Sequence, residues 1–277
     1  MSAPFPVDRP VRLLEFLRSV LPDWKRSTLE QRIRSGAVRV NGIAVRRNEL
    51  LAPGDTVEVG ERTGVPASGA KLALLHEDEW LVAIHKPAGL LSVSTDSERE
   101  KTALALVKEH IGRPGHPARA WPVHRLDRDT SGVLLFALSR DVQQIVQARW
   151  SAARKTYLAW VEGRPVPPEG TIDAPLWEDA SLFVRVGNRE GARDARTRYR
   201  TLETREHQSL LEVELDTGRR HQIRAHLAWI GHPIVGDERY GMSASRMALH
   251  ALRLELPHPV TGAPLVLEAP PPRAFQR

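Results

Sequence analysis

Cysteine is absent from this chain of 277 residues. Its absence excludes disulfide bonds and thiolate catalysis, and it removes cysteine from any metal site. No apolar run approaches the roughly 18 residues of a membrane-spanning helix. The first residues, MSAPFPVDRPVR, lack the basic and then apolar pattern of a signal peptide. Together these absences predict a cytoplasmic protein with no membrane partner.

Acidic residues are fewer than basic ones. The chain has 34 Asp and Glu against 40 Lys and Arg, which gives a net charge of +6. An excess of positive charge favours a polyanionic partner, and nucleic acid fits best. A basic protein without such a partner is the alternative. Arginine far outnumbers lysine, and its planar fork suits phosphates and stacking on bases, although GC-rich codon usage gives the same bias.

Two helices are predicted near the N-terminus. Residues 11–21 carry apolar side chains at helical spacing, and Pro22 ends the pattern. We expect Ser27 to cap a second helix, because Glu30 follows it at the spacing of a capping box. Gly36 lies where a glycine would end that helix.

A basic hairpin follows these helices. Short strand-like runs, VRV and IAV, flank Asn41 and Gly42, a pair typical of a tight hairpin turn. Basic side chains cluster on the second helix and this hairpin, so we interpret the unit as a phosphate-binding surface, with a solvated charged face as the alternative. RNA contacts are expected from four of these side chains: Lys25, Arg26, Arg32 and Arg39.

The rest of the chain has a different texture. Residues 61–70 are small, rich in glycine and proline and without periodicity, which is typical of a linker. From residue 72 onward, strand-like runs outnumber helices, and we expect helices at 102–111, 141–150 and 221–231. Most connections are too short for crossovers between parallel strands. The pattern therefore predicts an α+β fold with a mixed, mostly antiparallel sheet.

The stretch HRLDRDTSG, residues 124–132, concentrates reactive side chains. Arg125 and Arg128 flank Asp127, and a positive neighbourhood keeps a carboxylate ionised. We expect residues 130–132 to form a tight turn whose hydroxyls and N–H groups fix that carboxylate. Such a carboxylate can act as nucleophile, electrostatic stabiliser or base. A lone aspartate in a loop is more often a cap or a surface charge.

A second concentration lies in LDTGRRHQIRAHL, residues 215–227. We expect a helix here that carries several strong donors: Arg219, Arg220, His221, Arg224 and His226. His221 and Arg224 are three residues apart and should share a face, whereas His226 points elsewhere. The histidine spacing and the lack of an adjacent glutamate argue against zinc. The donors favour binding of phosphate or carboxylate, and no metal is expected.

Tyr157 is one of only three tyrosines in the chain. It lies in KTYLAWVEG, a strand-like run with apolar residues at alternate positions. Packing in the sheet and stacking on a nucleic-acid base both fit this position.

Four motifs in this order, HRLDRDTSG, KTYLAWVEG, TGRRHQIRAH and GHPIVGDERYG, resemble the signature of the RluA-type pseudouridine synthases. KPAGLL (86–91) and MALHALRLELPHPVTG (247–262) match as well. The N-terminal part resembles the small S-four-like RNA-binding domain. The resemblance implies such a domain at 9–60, a linker at 61–70 and a catalytic domain at 71–277. The catalytic fold implied is a bilobal mixed sheet, the pseudouridine synthase fold, with the active site between its lobes.

The resemblance also assigns roles. In that family the aspartate of HRLD is the nucleophile, which falls on Asp127, and the arginine of HQIR pairs with it, which falls on Arg224. The tyrosine, here Tyr157, stacks on the target base and is a candidate to take the proton from carbon 5. The arginine of HRLD, here Arg125, helps to hold RNA around the extruded nucleotide. RNA contacts are further expected from Arg128, Arg219, Arg220 and His221. The isomerisation of uridine to pseudouridine needs no cofactor.

Several alternatives stay open. The substrate expected is a uridine of the large-subunit (23S) rRNA, with tRNA as the alternative, and the chain is expected to be a monomer. A ribosome-assembly factor whose chemistry is dispensable, or a glycoside hydrolase using Asp127, are the competing functions. Hydrolysis would need a second carboxylate, and Asp129 is the adjacent one. Two departures from the family, Arg220 in place of threonine or serine and SVSTDSERE after KPAGLL, affect the choice of target rather than the reaction.

Overall fold

The computed structural model of the chain describes residues 4–24, 26–34, 37–45, 47–60, 72–94, 102–112, 119–242 and 246–275. The chain divides into two compact units, Met1–Ser68 and Gly69–Arg277. The linker expected at 61–70 lies outside the described residues. No helix in the described ranges is long and apolar enough to cross a membrane.

The first unit combines two helices with short strands. Its helices are α1 (Leu13–Val20) and α2 (Arg26–Arg34). Its strands are β1 (Phe5–Pro6), β2 (Val11–Arg12), β3 (Val38–Val40), β4 (Ile43–Val45), β5 (Leu50–Leu51) and β6 (Thr56–Val59). A four-stranded sheet has the order β1, β6, β3, β4, and β2 pairs with β5. All of these pairs are antiparallel.

The core of this unit forms because α1 is amphipathic. Leu13, Phe16 and Leu17 lie on one face of the helix and are buried against α2 and the sheet. The helix start is stabilised from a distance, since the backbone N–H of Leu14 donates to Asn48 Oδ1 at 2.8 Å. That bond satisfies one of the N–H groups that a helix start leaves without a partner.

The hairpin turn has the backbone that its sequence predicts. Asn41 and Gly42 have φ angles of 53° and 78°. Two successive positive φ values are those of a type I′ turn, which matches the right-handed twist of the two strands. Asn41 also accepts a hydrogen bond from the backbone N–H of Thr56 at 2.9 Å, so its side chain joins the turn to β6.

The expected start of the second helix is wrong. α2 begins at Arg26, so Ser27 lies inside the helix and is not its cap. Glu30, the expected capping-box partner, instead accepts a hydrogen bond from Arg26 Nε at 2.8 Å. Because the residues of α2 before the buried Leu29 are polar, the spacing of apolar residues does not show where this helix begins. Gly36, the expected end, lies outside the described residues.

The second unit is built mainly of strands. Its helices are α3 (Ala103–Ile111), α4 (Arg140–Ala148) and α5 (Gln222–Trp229), with short 3-10 turns at Trp150–Ala152 and Arg273–Phe275. Its strands are β7 (Leu74–Glu77), β8 (Leu81–Lys86), β9 (Trp121–Pro122), β10 (Ser131–Ala137), β11 (Arg154–Glu162), β12 (Glu169–Asp173), β13 (Leu176–Glu178), β14 (Val184–Val186), β15 (Arg196–Thr204), β16 (Gln208–Leu215), β17 (Leu249–Pro257) and β18 (Pro264–Glu268).

One large sheet organises this unit. Its strand order is β12, β15, β16, β11, β17, β10, β8, β7, with β18 added beside β17 and β9 beside β10. Among the described strands of this sheet, only β10 and β17 pair in parallel, and β13 and β14 form a separate hairpin. The mixed and mostly antiparallel sheet expected from the sequence is therefore confirmed.

Separate clusters of buried side chains cover the two halves of the sheet. Val142 and Val146 of α4 pack near β8 and β10, and Val107 of α3 packs on the other side of the same strands. Ile223 and Leu227 of α5 pack near β11 and β16. The strand between the halves, β17, pairs with β10 on one side and with β11 on the other, and it joins the two halves of the sheet.

Gly132 lies where β10 meets β17. It pairs with Ala251, and a Cβ placed on it would lie 2.1 Å from the Ala251 carbonyl oxygen. Its φ of 120° is also a conformation that side chains rarely adopt. The sequence places this glycine in a turn, but the structure places it inside β10, where it permits the close approach of the two strands.

Replacement of Gly132 by alanine is therefore expected to destabilise the second unit by about 3 kcal/mol or more, through overpacking against backbone and a strained φ. The matched control is Gly187→Ala, because Gly187 has a φ of 133° but open space around it. That control should cost only the backbone strain, roughly 1 kcal/mol. Urea unfolding measures both, and equal losses would contradict the steric explanation.

Candidate active site

The buried side chain of Lys86 supports the loop that carries Asp127. This lysine is fully buried, and its Nζ donates to the backbone oxygens of Pro87, Leu90 and Arg128 at 3.0, 2.8 and 2.9 Å. Burial lowers the pKa of Lys86 to about 7, although the carboxylates of Asp129 and Asp127 oppose the shift. The lysine therefore fixes the backbone one residue beyond Asp127.

The hydroxyls after Asp127 do not hold its carboxylate as expected. Thr130 donates its backbone N–H to the Asp127 carbonyl at 3.2 Å, which closes a turn. The Ser131 hydroxyl lies 2.9 Å from Nδ1 of the buried His250, so it anchors the start of β10 to β17. His124 is structural too, because its Nε2 accepts from the Leu135 N–H at 3.1 Å.

Arg224 holds the Asp127 carboxylate. Its Nη1 donates to Asp127 Oδ2 at 3.0 Å, across 97 residues of sequence. Its Nε and Nη2 each donate to Asp237 at 2.7 Å, one to each carboxylate oxygen. The Asp237 side chain is completely buried and that of Arg224 nearly so. A bidentate pair of this kind fixes the guanidinium plane, and with it the direction from which Asp127 is held.

The charges around Arg224 favour its protonated, positively charged form. Burial by itself would lower the pKa of Arg224, but the hydrogen bonds and charge of Asp237, with those of Asp127, raise it above its ordinary value. A guanidinium that stays charged offsets the charge of the nearby carboxylate. The arrangement therefore supplies Asp127 with a permanent positive neighbour that solvent screens little.

Tyr157 lies on β11 and lines the same cavity as Asp127 and Arg224. A register shift between Thr156 and Tyr157 interrupts the pairing of β11 with β17, and such bulges redirect side chains near active sites. Burial and the Asp127 carboxylate raise the pKa of Tyr157 above its ordinary value. Its phenol therefore stays protonated and presents a neutral ring.

The helix expected after residue 215 begins later than the sequence predicts. α5 starts at Gln222, so Arg219, Arg220 and His221 belong to the preceding turn and not to the helix. His221 has a φ of 50°, in the left-handed region. This reversal turns the chain so that His221 Nε2 lies 3.7 Å from Asp127 Oδ2.

Two side chains of this segment are structural. Gln222 is buried; its Oε1 accepts from Thr217 Oγ1 and the Arg219 N–H, and its Nε2 donates to the Arg196 carbonyl. His226 points away from the cavity, as the sequence predicts. Its ring nitrogens lie 2.8 Å from Thr197 Oγ1 and 2.9 Å from the Ala174 carbonyl.

A cavity of about 70 Å³ brings the main sequence-predicted residues together. Its lining includes Arg125, Asp127, Tyr157, Arg219, His221 and Arg224. Arg125 and Arg219 are exposed at its edge. Among the described residues, no group of three His, Cys, Asp or Glu is arranged to hold a metal ion.

Two residues expected to contact RNA also make structural contacts outside the cavity lining. Arg220 forms an exposed ion pair with Glu178 of β13 at 2.8 Å. The Arg128 carbonyl accepts from Lys86 at 2.9 Å, and the backbone of this residue thereby supports the loop. Arg220, one of the departures from the family, therefore joins the turn before α5 to the β13–β14 hairpin.

The expected RNA-binding side chains of the first unit form a separate set. Arg26 pairs with Glu30 on the exposed face of α2, and Arg39 Nη1 donates to the Gly42 carbonyl at 3.2 Å. Arg32 stacks over the ring of Trp24, 4.7 Å from its centre. Lys25 lies outside the described residues. Arg26 and Arg39 are the more accessible of these.

Sequence reasoning missed two residues of the site, Asp237 and Tyr240. Both lie in GHPIVGDERYG, which the sequence indicated as a loop that shapes a site. Asp237 pairs with Arg224, and the Tyr240 ring lies 5.2 Å from the Arg224 guanidinium carbon. An aspartate in the glycine-rich loop that follows HQIR was the available signal, although its burial is not visible in sequence.

Residues 80–229, more than half of the chain, match the family model described as RNA pseudouridylate synthase. The chain belongs to this family. Residues 11–57 match the S4 domain. The second unit, in which Asp127, Arg224 and Tyr157 line one cavity, is thus the catalytic unit of an RNA pseudouridine synthase, an isomerase that acts on RNA.

Similar proteins agree with this assignment. The chain is 34% identical over 281 residues to ribosomal large subunit pseudouridine synthase D of Nitrosomonas europaea, covering 95% of this chain and 81% of that one. It is 34% identical over 270 residues to uncharacterized RNA pseudouridine synthase YhcT of Bacillus subtilis, covering 94% and 87%. The solved structure of human RNA pseudouridylate synthase domain containing 4 has a TM-score of 0.60 and 28% identity, over 74% of this chain and 90% of that one.

Proposed function

We propose that this RNA pseudouridine synthase isomerises uridines of large-subunit rRNA and that Asp127 is its nucleophile. The arrangement of Asp127, Arg224 and Tyr157 around one cavity supports the assignment of the site. The name of the Nitrosomonas europaea relative supports the choice of large-subunit rRNA.

The cavity suits a nucleotide that has left its helix. Extruding a uridine costs a few kcal/mol, and the positive side chains of Arg125 and Arg219 at the cavity edge can hold the adjacent phosphates. Inside, Arg224 donates a hydrogen bond to the Asp127 carboxylate and fixes its direction. A carboxylate held in this way needs little reorganisation when it reacts.

Tyr157 is proposed to stack on the uracil. Its phenol is neutral, because burial and the Asp127 carboxylate raise its pKa. An aromatic face beside the cavity favours stacking on any base. A phenol that keeps its own proton is a poor acceptor for the proton that carbon 5 loses, so the raised pKa of Tyr157 favours its stacking role over the acceptor role.

We propose a division of work along the chain. Residues 9–60 form an S-four-like RNA-binding domain, 61–70 a linker and 71–277 the catalytic domain. RNA contacts outside the cavity are proposed for basic residues of both parts. They are Lys25, Arg26, Arg32 and Arg39 in the first part and Arg128 and Arg220 in the last. We also propose that the protein is cytoplasmic and monomeric.

Hydrolysis of the glycosidic bond is a poorer fit. It would need a second carboxylate beside Asp127. Asp129 is exposed and does not line the cavity, and both carboxylate oxygens of Asp237 accept hydrogen bonds from Arg224. No specific observation favours a purely binding function.

The substrate assignment is tested by tritium release. Transcripts of large-subunit rRNA segments and of tRNAs, tritiated at carbon 5 of uridine, are incubated with the protein. Release is expected from an rRNA segment, and mapping of pseudouridine with and without the protein in cells identifies the position. Release only from tRNA would overturn the rRNA assignment while leaving the reaction in place.

Removal of residues 1–60 is expected to weaken RNA binding and to flatten its dependence on salt. Each phosphate that the protein no longer neutralises should reduce the slope of log affinity against log salt by about 0.7 to 0.9. The second unit should keep its structure because it has buried clusters of its own. Filter binding across a salt series measures the slope, and circular dichroism checks the fold. An unchanged slope would argue against RNA binding by the first unit.

A further inference from the structure

His221 is nearly buried, whereas Arg125 and Arg219, which also line the cavity, are exposed. Its side chain is 9% exposed, and it lies in the cavity lining with Asp127 and Tyr157. It also has a positive φ of 50°, which is uncommon for a residue other than glycine. Strained residues of this kind concentrate at functional sites, where the surrounding structure holds them.

The contacts of Tyr240 favour one of the two neutral tautomers of His221. Tyr240 Oη accepts the backbone N–H of Val184 at 3.2 Å and lies 3.1 Å from His221 Nδ1. Burial raises the pKa of Tyr240, so its hydroxyl keeps its hydrogen. If that hydrogen is donated to Nδ1, the ring proton is on Nε2.

The opposite tautomer is disfavoured for a second reason. It would direct the lone pair of Nε2 at Asp127 Oδ2, 3.7 Å away, and two regions of negative charge would face each other. It would also leave the hydroxyl hydrogen of Tyr240 without His221 as an acceptor. Both arguments place an N–H group on Nε2, on the side of the ring nearest the Asp127 carboxylate.

The groups around His221 keep it neutral. Burial lowers its pKa; the charge of Asp127, from the loop before β10, opposes this shift. Three guanidinium groups add to the lowering: Arg224 on α5, Arg220 in the same turn as His221, and Arg239 beyond α5. At neutral pH the ring is therefore a donor through Nε2 without a positive charge.

We propose that His221 is a further catalytic residue, a neutral hydrogen-bond donor to the uracil ring, held in its Nε2–H tautomer by the Tyr240 hydroxyl. The inference rests on the proposed function. In the isomerisation the bond between C1′ and N1 breaks, and its electron pair goes to the uracil, whose carbonyl oxygens share the charge. The electron-deficient C1′ bonds to the Asp127 carboxylate and later to carbon 5, which then loses its proton. The Nε2–H group stabilises that charge by a hydrogen bond and keeps its proton. Tyr240 is a positioning residue that acts through His221.

Two substitutions of His221 separate a donor from a structural side chain. Glutamine places an amide N–H₂ close to the position of Nε2, whereas asparagine reaches only the position of Nδ1 beside Tyr240. H221N is expected to lower the single-turnover rate by about a hundredfold, as the loss of an oxyanion-hole donor does, with little change in RNA affinity. H221Q is expected to stay within roughly tenfold of the wild type. Equal losses in both variants, or weaker RNA binding with an unchanged rate, would overturn the proposal.

The tautomer is measured without any reaction. In the intact protein labelled with ¹⁵N, the two ring nitrogens of His221 should give the pattern of a protonated Nε2 and a free Nδ1. In Y240F the pattern should shift towards a mixture of tautomers, and the rate should fall. A protonated Nδ1 in the wild type would overturn the inference. An enzyme in which D127N stays active would instead overturn the proposed function, and the two failures are therefore distinguishable.

Discussion

Substitution of Asp127 by asparagine is expected to lower pseudouridine formation by at least about 10⁴-fold, as the loss of a principal catalytic group does in other enzymes. Asparagine has nearly the same shape but no charge and little nucleophilicity. The fold should persist, because Arg224 keeps both of its bonds to Asp237. Tritium release measures the reaction, and filter binding of the same transcript should show affinity close to that of the wild type.

The matched control for this substitution is two residues away. Asp129 is an exposed aspartate in the same loop and does not line the cavity. Asp129→Asn should therefore keep activity near that of the wild type. Activity that survives in Asp127→Asn, or an equal loss in both variants, would show that the role proposed for Asp127 is wrong.

Substitution of Asp237 by asparagine is expected to cost both stability and rate. The Asp237 side chain is fully buried against Arg224. Removing one partner of a buried ion pair leaves the other charge uncompensated, at a cost of about 3 to 5 kcal/mol. For a unit of this size the melting temperature should fall by roughly 6 to 20 °C. Turnover should fall as well, since the Arg224 guanidinium is no longer held in the plane that aims it at Asp127.

An exposed pair provides the comparison. Arg220 and Glu178 lie 2.8 Å apart at the surface. Glu178→Gln should change stability by less than about 1 kcal/mol, because solvent screens the pair and its side chains regain conformational entropy when it breaks. Differential scanning fluorimetry compares the two variants. Equal falls in the melting temperature of Asp237→Asn and Glu178→Gln would contradict the role assigned to the buried pair.

Much of the architecture is visible in the sequence for local reasons. Alternating apolar positions predict β11, and the Asn41–Gly42 turn predicts the β3–β4 hairpin, both of which the structure confirms. Side-chain alternation and turn chemistry are properties of a few adjacent residues. The parallel pairing of β10 with β17 joins Gly132 to Ala251, and nothing local to either residue predicts it.

The candidate site divides in the same way. Asp127, Arg224 and Tyr157 follow from motifs, and the structure brings all three to one cavity, although their catalytic roles stay predictions. Asp237 looks like an ordinary charge in a glycine-rich loop, because burial is decided by tertiary packing. The positive φ of His221 was missed since the helical spacing of HQIRAH continues through it. Periodicity cannot show at which residue a turn gives way to a helix.

The position of β17 between β10 and β11 has a consequence for synthesis of the protein on the ribosome. Ser131 and His250, which meet through a hydrogen bond, are 119 residues apart. Contacts of such long sequence separation form late, because a long loop must close before they contribute. Until β17 has been synthesised, the strand bearing Tyr157 and the loop bearing Asp127 lack the strand that lies between them. A nascent chain therefore carries RNA-binding surface before it carries an assembled catalytic centre.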